Sequence, residues 1–91
     1  MTIQGHDKYV EWQKQEEVKA FWINEIFYPQ YHDEYVGASK NGKFYRILAF
    51  HPATYEIEEI PEKEARTTIR GLALRCVEDE FNVFLKEGVE V

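Results

Sequence analysis

With 91 residues and an apolar share of 44%, the chain is long enough for a single domain, which we expect to span residues 1–91. Its single cysteine excludes an intramolecular disulfide and a zinc site built from cysteines, and its net charge of −6 weighs against nucleic-acid binding, which depends on Lys and Arg at phosphates. Residues 1–20 lack the apolar centre of a signal peptide, and no apolar run approaches the ~20 residues of a membrane span, so we expect a soluble protein of a reducing cytoplasm.

The N-terminal third reads as a flexible arm followed by a long helix. Residues 1–6 show no periodic pattern, whereas from Asp7, a residue that can cap a helix, no Gly or Pro occurs before Pro29. Residues 8–17 are mostly polar, and we expect them to project into solvent or reach a partner. The second half of the helix is expected to dock on a sheet, because it carries an apolar stripe formed by Val18, Phe21, Trp22 and Ile26.

The connection after this helix, residues 27–35, contains four aromatic residues. In one interpretation Phe27 and Tyr35 close the edge of the core while Tyr28 and Tyr31 lie along the surface. In the other the tyrosines form a contact patch, because tyrosine is enriched at protein interfaces. The sequence leaves both open.

Three strands between Tyr35 and Ile60 form a predicted antiparallel meander. Asn41-Gly42 between apolar runs is a strong hairpin signal, and we expect a two-residue turn that places Val36 opposite Ile47. Residues 51–54, His-Pro-Ala-Thr, make the second turn.

The predicted register divides the side chains of the meander between two faces. We expect helices to cover the face that carries Tyr35, Phe44, Leu48, Phe50, Tyr55 and Ile57, with Arg46 opposite Glu59 at its rim. We expect the reverse face to meet solvent or a partner; it carries Val36, Ala38, Tyr45, Ile47, Ala49, Lys40, Lys43, Glu56 and Glu58.

A second helix is predicted from Pro61 to Lys86, ending at Gly88, because a proline followed by acids starts a helix. Its main apolar stripe consists of Ala65, Ile69, Leu72, Ala73, Cys76 and Val77. A second arc of Leu74, Phe81 and Leu85 exceeds what one sheet contact needs, and Gly71 beside it would let another helix approach closely. That helix could belong to the same chain or to a second copy in a homodimer.

Together these elements predict an α+β fold: a three-stranded antiparallel meander with N- and C-terminal helices, in the order α-β-β-β-α, with both helices packed on one sheet face. This order resembles that of the double-stranded-RNA-binding domain. The resemblance is topological, and it implies phosphate contacts at the start of the last helix, where that family places a lysine cluster. Here residues 61–66 alternate acid and base. RNA binding would depend on Lys40, Lys43, Lys63, Arg66 and Arg70.

The sequence predicts neither an enzyme nor a cofactor. Glycine-rich phosphate loops and a G-x-S-x-G motif are absent, and Cys76 lies on the apolar stripe, where a thiol behaves as a small hydrophobe. The run His32-Asp33-Glu34 offers metal ligands at a poor spacing, so an enzyme with a shallow metal site is a third alternative.

We therefore expect a small non-enzymatic interaction or regulatory module whose partner is another protein, with a nucleic-acid binder as the alternative. A small acidic protein of this kind also fits an antagonist from a phage or mobile element. The predicted partner-binding residues are Tyr28, Tyr31, Tyr45, Lys40, Lys43, Leu74 and Phe81.

Overall fold

The computed structural model describes the backbone of residues 1–25, 32–72 and 75–90 and the side chains of residues 1–23, 33–69 and 78–86. Its elements are β1 (Thr2–Gln4), α1 (His6–Gln15), β2 (Val18–Glu25), β3 (His32–Ser39), β4 (Phe44–Phe50), β5 (Thr54–Ile60), α2 (Glu62–Leu72) and α3 (Arg75–Glu90). The strands form one antiparallel sheet in the order β1-β5-β4-β3-β2. The α+β class and the antiparallel sheet are confirmed, but the sheet has five strands where the sequence predicted three.

The first additional strand lies in the segment expected to be a flexible arm. β1 pairs with β5, so that Thr2 lies opposite Glu56. The backbone nitrogen of Met1 also donates to the carbonyl oxygen of Ile57 at 2.8 Å. Pairing with a strand far along the chain leaves no local pattern, so β1 could not be predicted from the sequence.

The second additional strand replaces the second half of the predicted long helix. α1 ends at Gln15, and Glu17 has a φ of +52°, in the left-handed region that reverses the chain. Residues 18–25 are rich in β-branched and aromatic residues, which suit a strand as well as the apolar spacing suits a helix. As β2 they satisfy the backbone of β3, and Phe21 lies opposite Val36.

The first turn of the meander is one residue longer than expected, and the second is one residue shorter than the predicted turn of residues 51–54. Ser39 donates its N–H to the carbonyl of Lys43 at 2.9 Å, which closes a three-residue loop, and Gly42 takes a φ of +84° within it. The second loop also has three residues, since Phe50 lies opposite Thr54. A one-residue slip turns a strand over, so β3 and β5 present the opposite side chains to those expected.

Helices cover both faces of the sheet, and the expectation of a single covered face is wrong. On the α1 face, Tyr9 stacks on Tyr55 with ring centroids 3.9 Å apart, and Trp12 meets Tyr45 edge-on at 5.2 Å. The buried side chains of this face are Tyr9, Val18, Tyr45, Ile47 and Ile57.

The opposite face, here called the α2–α3 face, holds the larger core. Phe81 of α3 packs against Phe21 at 5.3 Å. The predicted continuous C-terminal helix is observed as α2 and α3, and α3 continues past Gly88 to Glu90. The buried side chains of this core are Phe21, Ile23, Val36, Ala38, Phe44, Ile60, Ala65, Ile69 and Phe81.

Candidate functional site

The residues predicted to bind a partner lie in three different settings. Tyr45 and Phe81 are buried in the protein's own core, on opposite faces of the sheet. Lys40 and Lys43 are exposed at the β3–β4 turn, where Lys40 Nζ lies 4.0 Å from Glu17 Oε2. Tyr28, Tyr31 and Leu74 lie outside the described residues. These seven side chains therefore do not form one surface in the described part of the chain.

A continuous exposed feature is the outer side of β2, the last strand in the sheet. Lys40 donates its N–H to the carbonyl of Glu17 at 3.3 Å, so the backbone of Glu17 bonds towards β3. This bond determines which residues of β2 bond towards β3 and which face outward. Successive residues of an antiparallel strand bond to alternate sides, so odd-numbered residues bond towards β3 and even-numbered ones face outward. The residues with outward N–H and C=O groups are Val18, Ala20 and Trp22, and no described strand pairs with them.

An irregularity limits the length of this free edge. The register of β2 against β3 shifts between Trp22 and Asn24, as in a β-bulge. Bulges bend a strand and interrupt pairing, and they are common on edge strands. We call the stretch Val18–Trp22, before the shift, the β2 edge.

Two exposed apolar side chains flank the β2 edge. Trp22 is 41% exposed on the α1 side, and Val83 of α3 is 53% exposed on the other side. Tryptophan is highly buried on average, because its large ring contributes strongly to a core. An exposed tryptophan beside unpaired backbone groups is typical of a contact surface.

A recess of about 280 Å³ lies between β2 and α3. Its apolar wall is formed by Val83 and Phe84, and Asp79 and Glu80 bring two carboxylates. Lys19 Nζ lies over aromatic rings, 5.9 Å from the centroid of Phe84. Among the described side chains, none of these three charged groups forms an ion pair within 4.0 Å.

A larger groove of about 620 Å³ lies near the other edge of the sheet, along β4 and β5. Leu48, Arg46 and three glutamates line it: Glu56, Glu58 and Glu59. Arg46 already forms an ion pair within the protein, because its Nε donates to Glu34 Oε2 at 2.8 Å and Glu34 is only 4% exposed. The Arg46–Glu59 pair expected from sequence is replaced by this one, since the register places Arg46 opposite Glu58 and Val36.

Tyrosine hydroxyls form a cluster under α1. Burial, and to a smaller extent the neighbouring phenols of Tyr35 and Tyr55, raises the pKa of Tyr9. Burial and then the Asp33 carboxylate raise the pKa of Tyr35. Gln13 Nε2 donates to the Tyr9 hydroxyl at 3.2 Å. A raised pKa keeps these phenols protonated, which suits a structural role better than proton abstraction.

The described residues provide no arrangement of side chains that favours the alternatives of a metal site or an RNA-binding site. Within the described side chains, no group of three His, Cys, Asp or Glu residues is placed to hold a metal ion. Arg66 Nε is paired with Glu62 Oε2 at 3.2 Å, and its Nη1 donates to Asn82. The side chain of Arg70 lies outside the described residues, and the observed element order is not that of the double-stranded-RNA-binding domain. No helix in the described part of the chain is long and apolar enough to cross a membrane.

No family model, curated protein or solved structure matches the chain. Function must therefore be inferred from the geometry of the described residues. The β2 edge was missed from sequence because its apolar spacing also fits a helix. The signal for a strand here was the content of β-branched and aromatic residues, because the apolar run from Ala20 to Ile23 breaks the alternation of a half-buried strand.

Proposed function

We propose that this protein is a small non-enzymatic interaction module that binds an extended segment of a partner protein by strand addition to the β2 edge. The observation that carries this proposal is the run of outward backbone groups on Val18, Ala20 and Trp22, next to an exposed tryptophan ring. Addition of a strand to a sheet edge is a common mode of peptide recognition, in which main-chain bonds give affinity and side-chain contacts give specificity.

The expected affinity follows from the length of the edge. Each outward residue offers one N–H and one C=O, and each bond contributes about 0.5–1.5 kcal/mol net of its exchange with water. Burial of the Trp22 ring adds to this, while ordering of the incoming segment opposes it. The net gain is smaller than the sum of these bonds, so we expect a weak complex with a dissociation constant in the micromolar range or above, which corresponds to a binding free energy of about −8 kcal/mol or weaker.

A second copy of this chain is a poor occupant of the same edge. Each copy carries a net charge of −6, and the repulsion between two such copies opposes self-association. We therefore propose a heterologous partner, and a cytoplasmic location in view of the single cysteine.

The test uses a proline that removes one outward donor. Proline is tolerated on an edge strand where its nitrogen faces away from the sheet, so Ala20→Pro should delete the outward N–H while keeping the β2–β3 ladder. Ala20→Val is the matched control, because it changes the side chain and keeps the N–H. Circular dichroism and a thermal melt establish that each variant is folded.

Peptides selected from a random display library on the immobilised wild-type chain serve as probes, with affinity measured by fluorescence anisotropy. We expect Ala20→Pro to weaken their binding at least about tenfold, or 1.4 kcal/mol, and Ala20→Val to change it by less than about threefold, under 1 kcal/mol. Peptides that bind folded Ala20→Pro as tightly as wild type, or a selection that yields no peptide, would refute the proposal. A dimer in light scattering that Ala20→Pro dissociates would show that a second copy occupies the edge.

A further inference from the structure

We infer that the segment bound at the β2 edge is amphipathic, with Lys or Arg at the positions facing α3 and apolar residues at the positions facing Trp22. This inference rests on the proposed function and specifies the chemistry of its partner. It follows from the two different environments on either side of the edge.

Alternation of side chains sets which environment each residue of the segment meets. Residues of an added strand that lie opposite Val18, Ala20 and Trp22 share the α1 face with them, and their neighbours point to the other face. On the α1 side, the exposed Trp22 and the half-buried Ala20 lie next to the edge. Apolar side chains gain most there, because they cover the tryptophan ring.

On the other side, the segment meets the recess between β2 and α3. Its volume of about 280 Å³ is sufficient for one long side chain. The apolar wall of Val83 and Phe84 suits a methylene stem, and the carboxylates of Asp79 and Glu80 suit a cationic head. Both acids are exposed, and neither is neutralised by an ion pair among the described side chains.

Lys19 limits where the basic residue of the segment can lie, because like charges directly opposite one another destabilise a sheet, and the cation must therefore be offset from Lys19 towards the carboxylates. The ammonium group of Lys19 lies 5.5 Å from the Phe21 ring centroid and 5.9 Å from that of Phe84, over the apolar part of the recess. An apolar residue at this position would desolvate the ammonium without pairing it, which is unfavourable. With two acids against one base, the recess keeps a net negative charge, and the −6 of the whole chain acts in the same direction.

The test compares two charge reversals on the full-length chain. The double variant Asp79→Lys/Glu80→Lys reverses the charge of the recess. The control variant Glu58→Lys/Glu59→Lys makes the same change in total charge on β5, which lies two strands away from β3 and is not part of the β2 edge. The probes are the peptides selected on the wild-type chain, together with analogues in which each basic residue is replaced by alanine. Both double variants are first shown to melt cooperatively.

We expect selected peptides to carry a Lys or Arg at a position that faces α3 and to bind Asp79→Lys/Glu80→Lys at least about tenfold more weakly, or 1.4 kcal/mol. The β5 double variant should lose less than about threefold, and the recess effect should shrink as salt is raised. Selected peptides without basic residues, or equal losses in both double variants, would overturn the inference. If Ala20→Pro still abolishes binding in that case, strand addition stands and only the charge assignment fails; if Ala20→Pro has no effect, both fail.

Discussion

Replacing Gly37 with alanine should destabilise the sheet through a steric clash. A Cβ atom at this position would lie 2.9 Å from Val18 Cγ1 and 3.1 Å from Ile47 Cδ1, whereas carbon atoms pack best at about 3.5–4.0 Å. Overpacking of this kind costs about 1–3 kcal/mol, and the valine contact lies on a stiff β-branched side chain that has little room to move.

One effect opposes the clash. Alanine restricts the unfolded chain more than glycine does and so stabilises the fold by about 0.4–1 kcal/mol. We therefore expect a net loss of about 1–2 kcal/mol in the free energy of unfolding, which corresponds to a fall of about 4–16 °C in Tm for a chain of this size. Urea denaturation followed by circular dichroism measures it, with an unchanged m-value as evidence that the variant is still two-state.

The double variant with Val18→Ala tests the cause. Val18→Ala alone should cost about 2 kcal/mol, because it deletes buried methyl groups. In the double variant the methyl of residue 37 fills the space that Val18 Cγ1 vacates. The loss of unfolding free energy in the double variant should therefore be smaller than the sum of the two single losses by about 1 kcal/mol or more. Ile47→Val should rescue less, since its 3.1 Å contact is made by the end of a flexible chain. Additive losses, or a Gly37→Ala variant as stable as wild type, would refute the steric argument.

Two further predictions concern buried polar groups. Arg46→Ala leaves the carboxylate of Glu34 buried without its 2.8 Å donor, and because the Arg46 side chain is 48% exposed we expect a loss of about 2–3 kcal/mol, less than the ~3–5 of a fully buried pair. Adding Glu34→Leu should recover most of this loss in chemical denaturation, and a loss below about 1 kcal/mol for Arg46→Ala alone would show that Glu34 has another donor. The raised pKa of Tyr9 means that the folded state retains the phenol proton, so its contribution to stability is complete below pH ~10 and decreases as the pH rises beyond that value. Chemical denaturation of wild type and Tyr9→Phe at pH values below and above ~10 checks this, and identical pH profiles of stability for the two proteins would contradict it.

The sequence predicted the parts of the fold that local patterns determine. The hairpin at Asn41-Gly42 and the helix start after Pro61 are where they were expected, because turn residues and first-turn acids act locally. The loop lengths were not predicted, since Asn-Gly occurs in two-residue turns and Gly42 can also end a three-residue loop. A shift of one residue at each of the two loops turned β3 and β5 over relative to β4 and reversed the assignment of their side chains to the sheet faces.

The identity of residues 18–25 depended on tertiary structure. Val18, Phe21 and Trp22 fit a helical stripe. They form a strand because residues 18–25 pair with the side of β3 that would otherwise have no partner. The β2 edge was for this reason invisible in the sequence, because an edge is defined by which strand has no further neighbour. Tyr45 was expected on a face open to solvent or a partner, but it is buried under Trp12, which belongs to the stretch expected to project into solvent or reach a partner.

The pairing of β1 with β5 has a kinetic consequence. Thr2 bonds to Glu56 across 54 residues, so β1 cannot be placed until almost the whole sheet has formed, whereas β2 to β5 are joined by short connections. Until β1 has docked, β5 is an outer strand along its whole length, with unpaired backbone groups of the kind that recruit other chains into aggregates. Three glutamates lie along this strand, Glu56, Glu58 and Glu59, and like charges at such positions act as gatekeepers against intermolecular pairing. Their acidity also serves the folded protein, because β1 pairs only with residues 54–57 and leaves Glu58 and Glu59 at the outer edge.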